Sequence, residues 1–145
     1  MVEIVDFVDS YKEKLFEIQS RVLLPNDQMT KAQFFDEFRW NTRKYFVAIK
    51  DENPIGYIGL YNYDDDLNII QIAVDNAFQN KGIGGLLLQK AKEYAKENQK
   101  KSLSLEVDSN NLIAQNFYKK HNFVITNIRK NYYKTSDAII MFCYL

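Results

Sequence analysis

The chain has 145 residues, 46% of them hydrophobic, and its 19 lysines and arginines balance its 19 aspartates and glutamates. This length suits one compact domain over residues 1–145, and this composition excludes a disordered chain. The balanced charge excludes a global field that would attract nucleic acid or a membrane surface.

The N-terminal segment from Val2 to Phe7 predicts a short strand. It carries acidic residues where a signal peptide would carry basic ones. No later run approaches the roughly 20 apolar residues of a membrane span. We therefore expect a cytoplasmic protein without a membrane partner.

Two helices are expected next, each opened by a capping box. Ser10 and Glu13 have the spacing of the first box, and Thr30 and Gln33 have the spacing of the second. The run Leu24-Pro25-Asn26-Asp27 ends the first helix. The apolar residues of the first helix recur on one face: Tyr11, Leu15, Ile18 and Val22.

Three strands follow, because residues 45–49, 55–63 and 67–74 are rich in aromatic and branched side chains. The connections between them are short and polar, such as Asp51-Glu52-Asn53-Pro54. Strands joined by such short turns predict an antiparallel meander.

The second half alternates helices and strands. Residues 82–98 and 110–121 predict helices, whereas residues 102–107, 123–126 and 138–145 predict strands. The resulting order, β-α-α-β-β-β-α-β-α-β-β, predicts a mixed α/β fold with about seven strands in one sheet and helices on both faces.

The last predicted strand contains the single cysteine, Cys143. One thiol cannot form an internal disulfide, and His121 is the only histidine that could activate it. We therefore interpret Cys143 as a small buried apolar residue. One cysteine and one histidine cannot assemble a zinc site, and we expect no metal.

A strand, a glycine-bearing turn and a helix start form the central motif. Ile72-Ala73-Val74 ends a predicted strand, and Gln79-Asn80-Lys81-Gly82-Ile83-Gly84-Gly85 leads into the next helix. A helix N-terminus presents free N–H groups to an anion. Glycines at Gly82 and Gly84 would let a pyrophosphate approach the main chain. The same glycines could instead merely ease a tight turn.

The turn resembles the Gln/Arg-x-x-Gly-x-Gly/Ala signature of the GNAT acetyltransferases, which implies binding of the acetyl-CoA pyrophosphate. Further similarity lies downstream in Leu105-Glu106-Val107, Asn111, Ala114, Phe117-Tyr118 and Asn122-Phe123, where the last pair replaces the usual Gly-Phe. Residues 129–133 and 137–141 resemble the bacterial RimI family, whose members acetylate the α-amino group of ribosomal protein S18.

The resemblance implies a role for each matching residue. It makes Glu106 the general base and Tyr118 the general acid, and it implies that Asn111 contacts the coenzyme. We also expect the backbone of Ile72 to Val74 to pair with the pantetheine arm. From the residues alone, Glu106 is either a carboxylate buried on an apolar strand, which would suit a base, or an outward-facing residue. Tyr118 could equally be a core aromatic residue, and Asn111 an ordinary helix start.

The acceptor is expected between the Leu24–Thr30 connection and the Arg129–Ser136 segment. Two departures from the family pattern could reshape the groove for the acceptor: Asp108 stands where arginine is usual, and the segment between Tyr133 and Asp137 is short. The acceptor could therefore be the S18 N-terminus or another amine, such as a polyamine, an aminoglycoside or an internal lysine. A non-catalytic acyl-CoA-binding module is a further alternative. We expect no direct nucleic-acid contact, and a monomer or weak dimer.

Overall fold

Seven strands and four α-helices follow one another in the predicted order in a computed structural model that describes residues 1–145. The strands are β1 Val2–Asp6, β2 Arg43–Lys50, β3 Asn53–Tyr63, β4 Asp66–Val74, β5 Ser102–Asp108, β6 Val124–Arg129 and β7 Ala138–Tyr144. The helices are α1 Lys12–Val22, α2 Lys31–Glu37, α3 Ile83–Glu97 and α4 Leu112–Lys120. Short 3-10 turns lie at Asp9–Tyr11, Pro25–Asp27 and Asn76–Phe78.

All strands belong to one sheet in the order β1-β2-β3-β4-β5-β7-β6. Strands β2, β3 and β4 pair antiparallel in chain order, which confirms the predicted meander, and β1 pairs antiparallel with β2. Strand β5 pairs parallel with β4 and antiparallel with β7, so the predicted mixed sheet is confirmed. Strand β6 lies outside β7 at the edge.

Strands β4 and β5 separate halfway along their length. Their pairing stops at Asn68 and Ser104, although β4 continues to Val74 and β5 to Asp108. Just beyond this point the register of β3 and β4 shifts, and Ile70 has no partner. Such a bulge bends its strand and locally ends pairing. A gap therefore opens between the C-terminal halves of two neighbouring strands.

Apolar side chains cover both faces of the sheet. In β2, Phe46 and Ala48 pack in a cluster with α3 and α4, whereas Tyr45 and Val47 pack in a second cluster with α1 and α2. This alternation follows the two-residue period of a strand. Helices on both faces were predicted, and the two clusters confirm them.

Local details differ from the sequence reading in two places. Ser10 does not cap α1, because it lies inside a 3-10 turn and Tyr11 precedes the helix without a side-chain hydrogen bond. The Thr30–Gln33 capping box is confirmed, with both reciprocal hydrogen bonds present. Strand β6 begins one residue later than predicted and runs on to Arg129. Cys143 is buried in β7, as expected. The four α-helices are each too short or too polar to cross a membrane.

Candidate active site

The turn before α3 presents unpaired backbone donors. Asn80 and Gly82 adopt left-handed conformations, with φ of 61° and 82°. The first backbone hydrogen bond of the helix runs from the Leu86 N–H to the Gly82 carbonyl, and no side chain caps this end. The N–H groups of Ile83 to Gly85 thus remain available to an anion. A Cβ at Gly82 would meet no atom within 4 Å, so this side of the turn is open.

Gly84 serves helix packing. A Cβ at this position would lie 3.3 Å from the Phe117 ring of α4. The missing side chain therefore lets α4 approach α3, which differs from the expectation that Gly84 makes room for a pyrophosphate. Its backbone N–H still belongs to the free donors at the helix start.

Gln79 stabilises the turn from inside. Its Nε2 donates to the Val74 carbonyl at 2.9 Å and to the Asn76 Oδ1 at 3.2 Å. The Lys81 ammonium lies 5.7 Å from the centre of the Phe78 ring. On the sheet side, residues 72–74 pair with β3 only, so the edge of β4 that faces the gap is unpaired.

Glu106 is the one exposed residue of β5. Its side chain is 34% exposed, and its Oε1 lies 3.5 Å from Arg129 Nη1 on β6. Of the two alternatives left open by the sequence, the structure shows the outward-facing one. The side chain points away from the apolar core, and its ion-pair partner is Arg129 of β6.

Tyr118 is buried in α4 at 6% exposure and packs against Phe123 and Phe117. Burial, and next the negative charge of Asp27, raise the pKa of its phenol well above the usual value. The hydroxyl makes no hydrogen bond within the chain, yet it is not among the partnerless atoms that are sealed from solvent. Asn111 caps α4 by accepting from the Ala114 N–H at 3.1 Å.

Acidic residues meet near the two segments that were expected to hold the acceptor. Burial, and next the charge of Asp108, raise the pKa of Asp27 to about 6. Asp108 is only 4% exposed. Burial opposes its ionisation, but hydrogen bonds from the Asn110 N–H and the Asn26 amide outweigh this effect and lower its pKa. Burial and nearby acids, Asp27 first among them, raise the pKa of Tyr133 to about 12.

The structure therefore brings the two predicted acceptor segments together over the gap. Asp27 comes from the Leu24–Thr30 connection, and Tyr133 comes from the β6–β7 hairpin. Sequence reasoning placed both segments but did not single out Asp27. The residues around Asp27 come from β5 and α4, which are distant in the chain. The only signal in the sequence was the unusual Asp108, which forms a pair of carboxylates with Asp27.

Comparisons with known proteins show the family of the chain. The model of the acetyltransferase (GNAT) family matches residues 11–123. A putative ribosomal protein bS18-alanine N-acetyltransferase of Bacillus subtilis is 37% identical over 115 residues, which are 77% of this chain and 76% of the relative. Streptothricin acetyltransferase A of Bacillus subtilis is 37% identical over 103 residues, which are 68% of this chain and 60% of the relative.

Two solved structures share the fold. The ribosomal-protein-S18-alanine N-acetyltransferase of Escherichia coli superposes with a TM-score of 0.90 at 23% identity, covering 99% of this chain and 94% of that one. A putative streptothricin acetyltransferase of Bacillus anthracis, in complex with acetyl coenzyme A, gives a TM-score of 0.82 at 22% identity and covers 100% and 99% of the two chains.

Proposed function

Because the chain belongs to the acetyltransferase (GNAT) family and is an N-acetyltransferase, we propose that it transfers the acetyl group of acetyl-CoA to the α-amine of a protein N-terminus, that of ribosomal protein S18. The observation that carries this choice is the 37% identity to the bS18-alanine N-acetyltransferase relative over 77% of the chain. An S18 acceptor places the reaction in the cytoplasm, where we propose that the protein works as a monomer or weak dimer.

Acetyl-CoA supplies a thioester that an amine can attack directly. The free N–H groups at the start of α3 would hold its pyrophosphate. The unpaired edge of β4 at residues 72–74 would pair with the pantetheine arm and so orient the carbonyl. Gln79 already donates to the Val74 carbonyl, and the backbone of Ala73 faces β3, so the Ile72 backbone and the Val74 N–H are left to supply groups on this edge.

Tyr118 would protonate the departing thiolate. Its raised pKa keeps the phenol protonated at neutral pH, which a general acid requires. The partnerless hydroxyl has no competing acceptor within the chain. Glu106 would accept a proton from the amine nitrogen, and Arg129 would hold the carboxylate in place.

An N-terminal amine suits this site better than a lysine. The α-amine has a pKa of about 7.7–8.0, whereas that of lysine is about 10.4. About a tenth of an α-amine is therefore neutral at pH 7, against fewer than about one lysine in a thousand.

The proposal is tested by measuring thiol release from acetyl-CoA with two peptides. One peptide copies the N-terminus of the organism's own S18 after methionine removal. The other has the same sequence with a blocked α-amine and one internal lysine. We expect rapid release with the free N-terminus only. Release with neither peptide, while acetyl-CoA binds, would refute the S18 assignment.

A small basic molecule is the second candidate acceptor. The streptothricin acetyltransferase relative, at 37% identity over 68% of the chain, favours it. Streptothricin and polyamines should therefore be assayed beside the peptides. Faster turnover of either than of the S18 peptide would favour this alternative.

A further inference from the structure

The turn that contains Asp27 is attached to both strands that border the gap. The Gln71 Nε2 of β4 donates to the Asp27 carbonyl at 2.9 Å, and the Tyr57 hydroxyl holds Gln71 by a 2.7 Å hydrogen bond to its Oε1. On the other side, the Asn26 Nδ2 donates to the Asp108 Oδ2 at the end of β5 at 2.8 Å. The turn is therefore fixed across the opening of the gap.

The Asp27 carboxylate has no partner in this position. It is half-buried and makes neither a salt bridge nor a side-chain hydrogen bond within the chain. The groups that face it are Asp108 from β5, Tyr118 from α4 and Tyr133 from the β6–β7 hairpin. None of them is a cation, and the Arg129 guanidinium of β6 is paired with Glu106.

A second observation indicates a ligand at the same place. Tyr118 is more than nine-tenths buried, its hydroxyl has no hydrogen-bond partner, and the charge of Asp27 acts on it. The Tyr118 hydroxyl is not sealed from solvent, so it and the half-buried Asp27 carboxylate are two neighbouring polar groups that lack a protein partner. An ammonium group between them would complete both, since it offers up to three N–H donors.

We propose that Asp27 binds the ammonium form of the acceptor and takes its first proton, so that the amine need not arrive neutral. This inference rests on the proposed acetyl transfer. One N–H proton moves to Asp27, and the freed lone pair attacks the thioester carbonyl to form the C–N bond. Glu106 takes the second proton from nitrogen. The C–S bond then breaks as sulfur receives the Tyr118 proton. One of the two captured protons restores Tyr118, and the other leaves to solvent.

Burial and the charge of Asp108 raise the pKa of Asp27 towards the value that this step needs. An aspartate with an ordinary pKa of about 3.9 would be a weak acceptor for a proton from an α-ammonium of about 7.7–8.0. Burial and the neighbouring ionised Asp108 raise the pKa of Asp27 to about 6. Asp27 is then mostly ionised at pH 7 yet more basic than a solvated carboxylate. Asp108 stands where the RimI family usually has arginine. The pair of carboxylates Asp27 and Asp108 therefore results from a departure of this chain from the family pattern.

The test compares Asp27→Asn with the wild type and with Asp65→Asn, an exposed control paired only with Lys101. We would measure kcat/KM for the best peptide or amine acceptor from pH 6 to 9.5. For an α-amine we expect Asp27→Asn to lose at least about tenfold at pH 7 and little at pH 9.5, where the amine arrives neutral. Equal rates at every pH would overturn the proposal, and so would an equal loss at every pH, which indicates a structural role.

A carbon-13 NMR titration of the aspartate carboxylates tests the same group without turnover. We expect Asp27, assigned from Asp27→Asn, to titrate near 6 and to shift towards its ordinary pKa in Asp108→Asn. Titration near 4 in the wild type would overturn the inference. Absence of transfer to any amine would instead refute the proposed function, so the two failures are distinguishable. Acetyl-CoA affinity and the thermal midpoint show that each variant is folded.

Discussion

The proposed proton transfers are assigned to single residues, and Tyr118 gives the clearest test. Its ring fills the space between Phe117 and Phe123, while its hydroxyl has no partner in the chain. Tyr118→Phe therefore keeps the packing and removes only the hydroxyl that we propose as the general acid. We expect kcat to fall by about a hundredfold or more, with unchanged acetyl-CoA affinity. Steady-state kinetics measure this, and Tyr144→Phe, at a residue 68% exposed, is the control.

Glu106→Gln tests the other family role. The variant keeps the size of the side chain but removes the carboxylate that lies near Arg129. We expect a fall in kcat of about a hundredfold at pH 7. Unlike the loss in Asp27→Asn, this one should persist at high pH, because the second proton must leave nitrogen whatever form the amine arrives in. A wild-type rate would remove Glu106 from the mechanism.

Some residue-level features followed from the sequence and others did not. Asn122 stands where the family usually has glycine, and the structure gives it a φ of 72°, which asparagine tolerates better than most residues. The raised pKa of Asp27 could not be predicted, because it depends on burial by elements far away in the chain and on the charge of Asp108. Glu106 could be either buried or outward-facing from the sequence, because alternation alone could not tell which face of β5 it takes.

At the scale of elements, order and type were predictable because each helix or strand has its own period of apolar residues. The bulge at Ile70 was not, since a bulge is a property of the pairing between β3 and β4. The gap between β4 and β5 follows from that pairing and was equally hidden. The sequence therefore indicated the glycine-bearing turn before α3 but not the opening beside it.

The contact between α3 and α4 gives an element-scale prediction. A Cβ at Gly84 would lie 3.3 Å from Phe117, so Gly84→Ala should crowd the ring and lower the free energy of unfolding by about 1 kcal/mol. In a Phe117→Leu background, the same change should instead stabilise by about 0.5–1 kcal/mol, because alanine is the better helix former. Urea denaturation of the four proteins measures the coupling. Additive effects would show that Phe117 does not explain Gly84.

The whole molecule joins two kinds of pairing in one sheet. The meander β1–β4 and the β5-β7-β6 group meet only at the short parallel contact of β4 with β5. One apolar cluster, however, extends from Phe46 in β2 to Met141 in β7. Because this core spans the junction, we propose that residues 1–145 form one domain. Periodicity predicted the elements but not the position of β7 between β5 and β6, which depends on long-range pairing.

Acetyl-CoA should therefore stabilise the whole chain in one step. A ligand at a hundred times its Kd adds about 2.7 kcal/mol to a two-state protein, which for about 150 residues raises Tm by about 5–10 °C. Calorimetry should show a single unfolding transition that acetyl-CoA shifts to higher temperature.

Gly82→Asn and Gly82→Asp provide a matched pair, because both residues tolerate the φ of 82° and differ only in charge beside the free N–H groups. A carboxylate there would repel a pyrophosphate, so Gly82→Asp should lose most of the shift that Gly82→Asn retains. Equal shifts in the two variants would place the pyrophosphate elsewhere, and two separate transitions would refute the single domain.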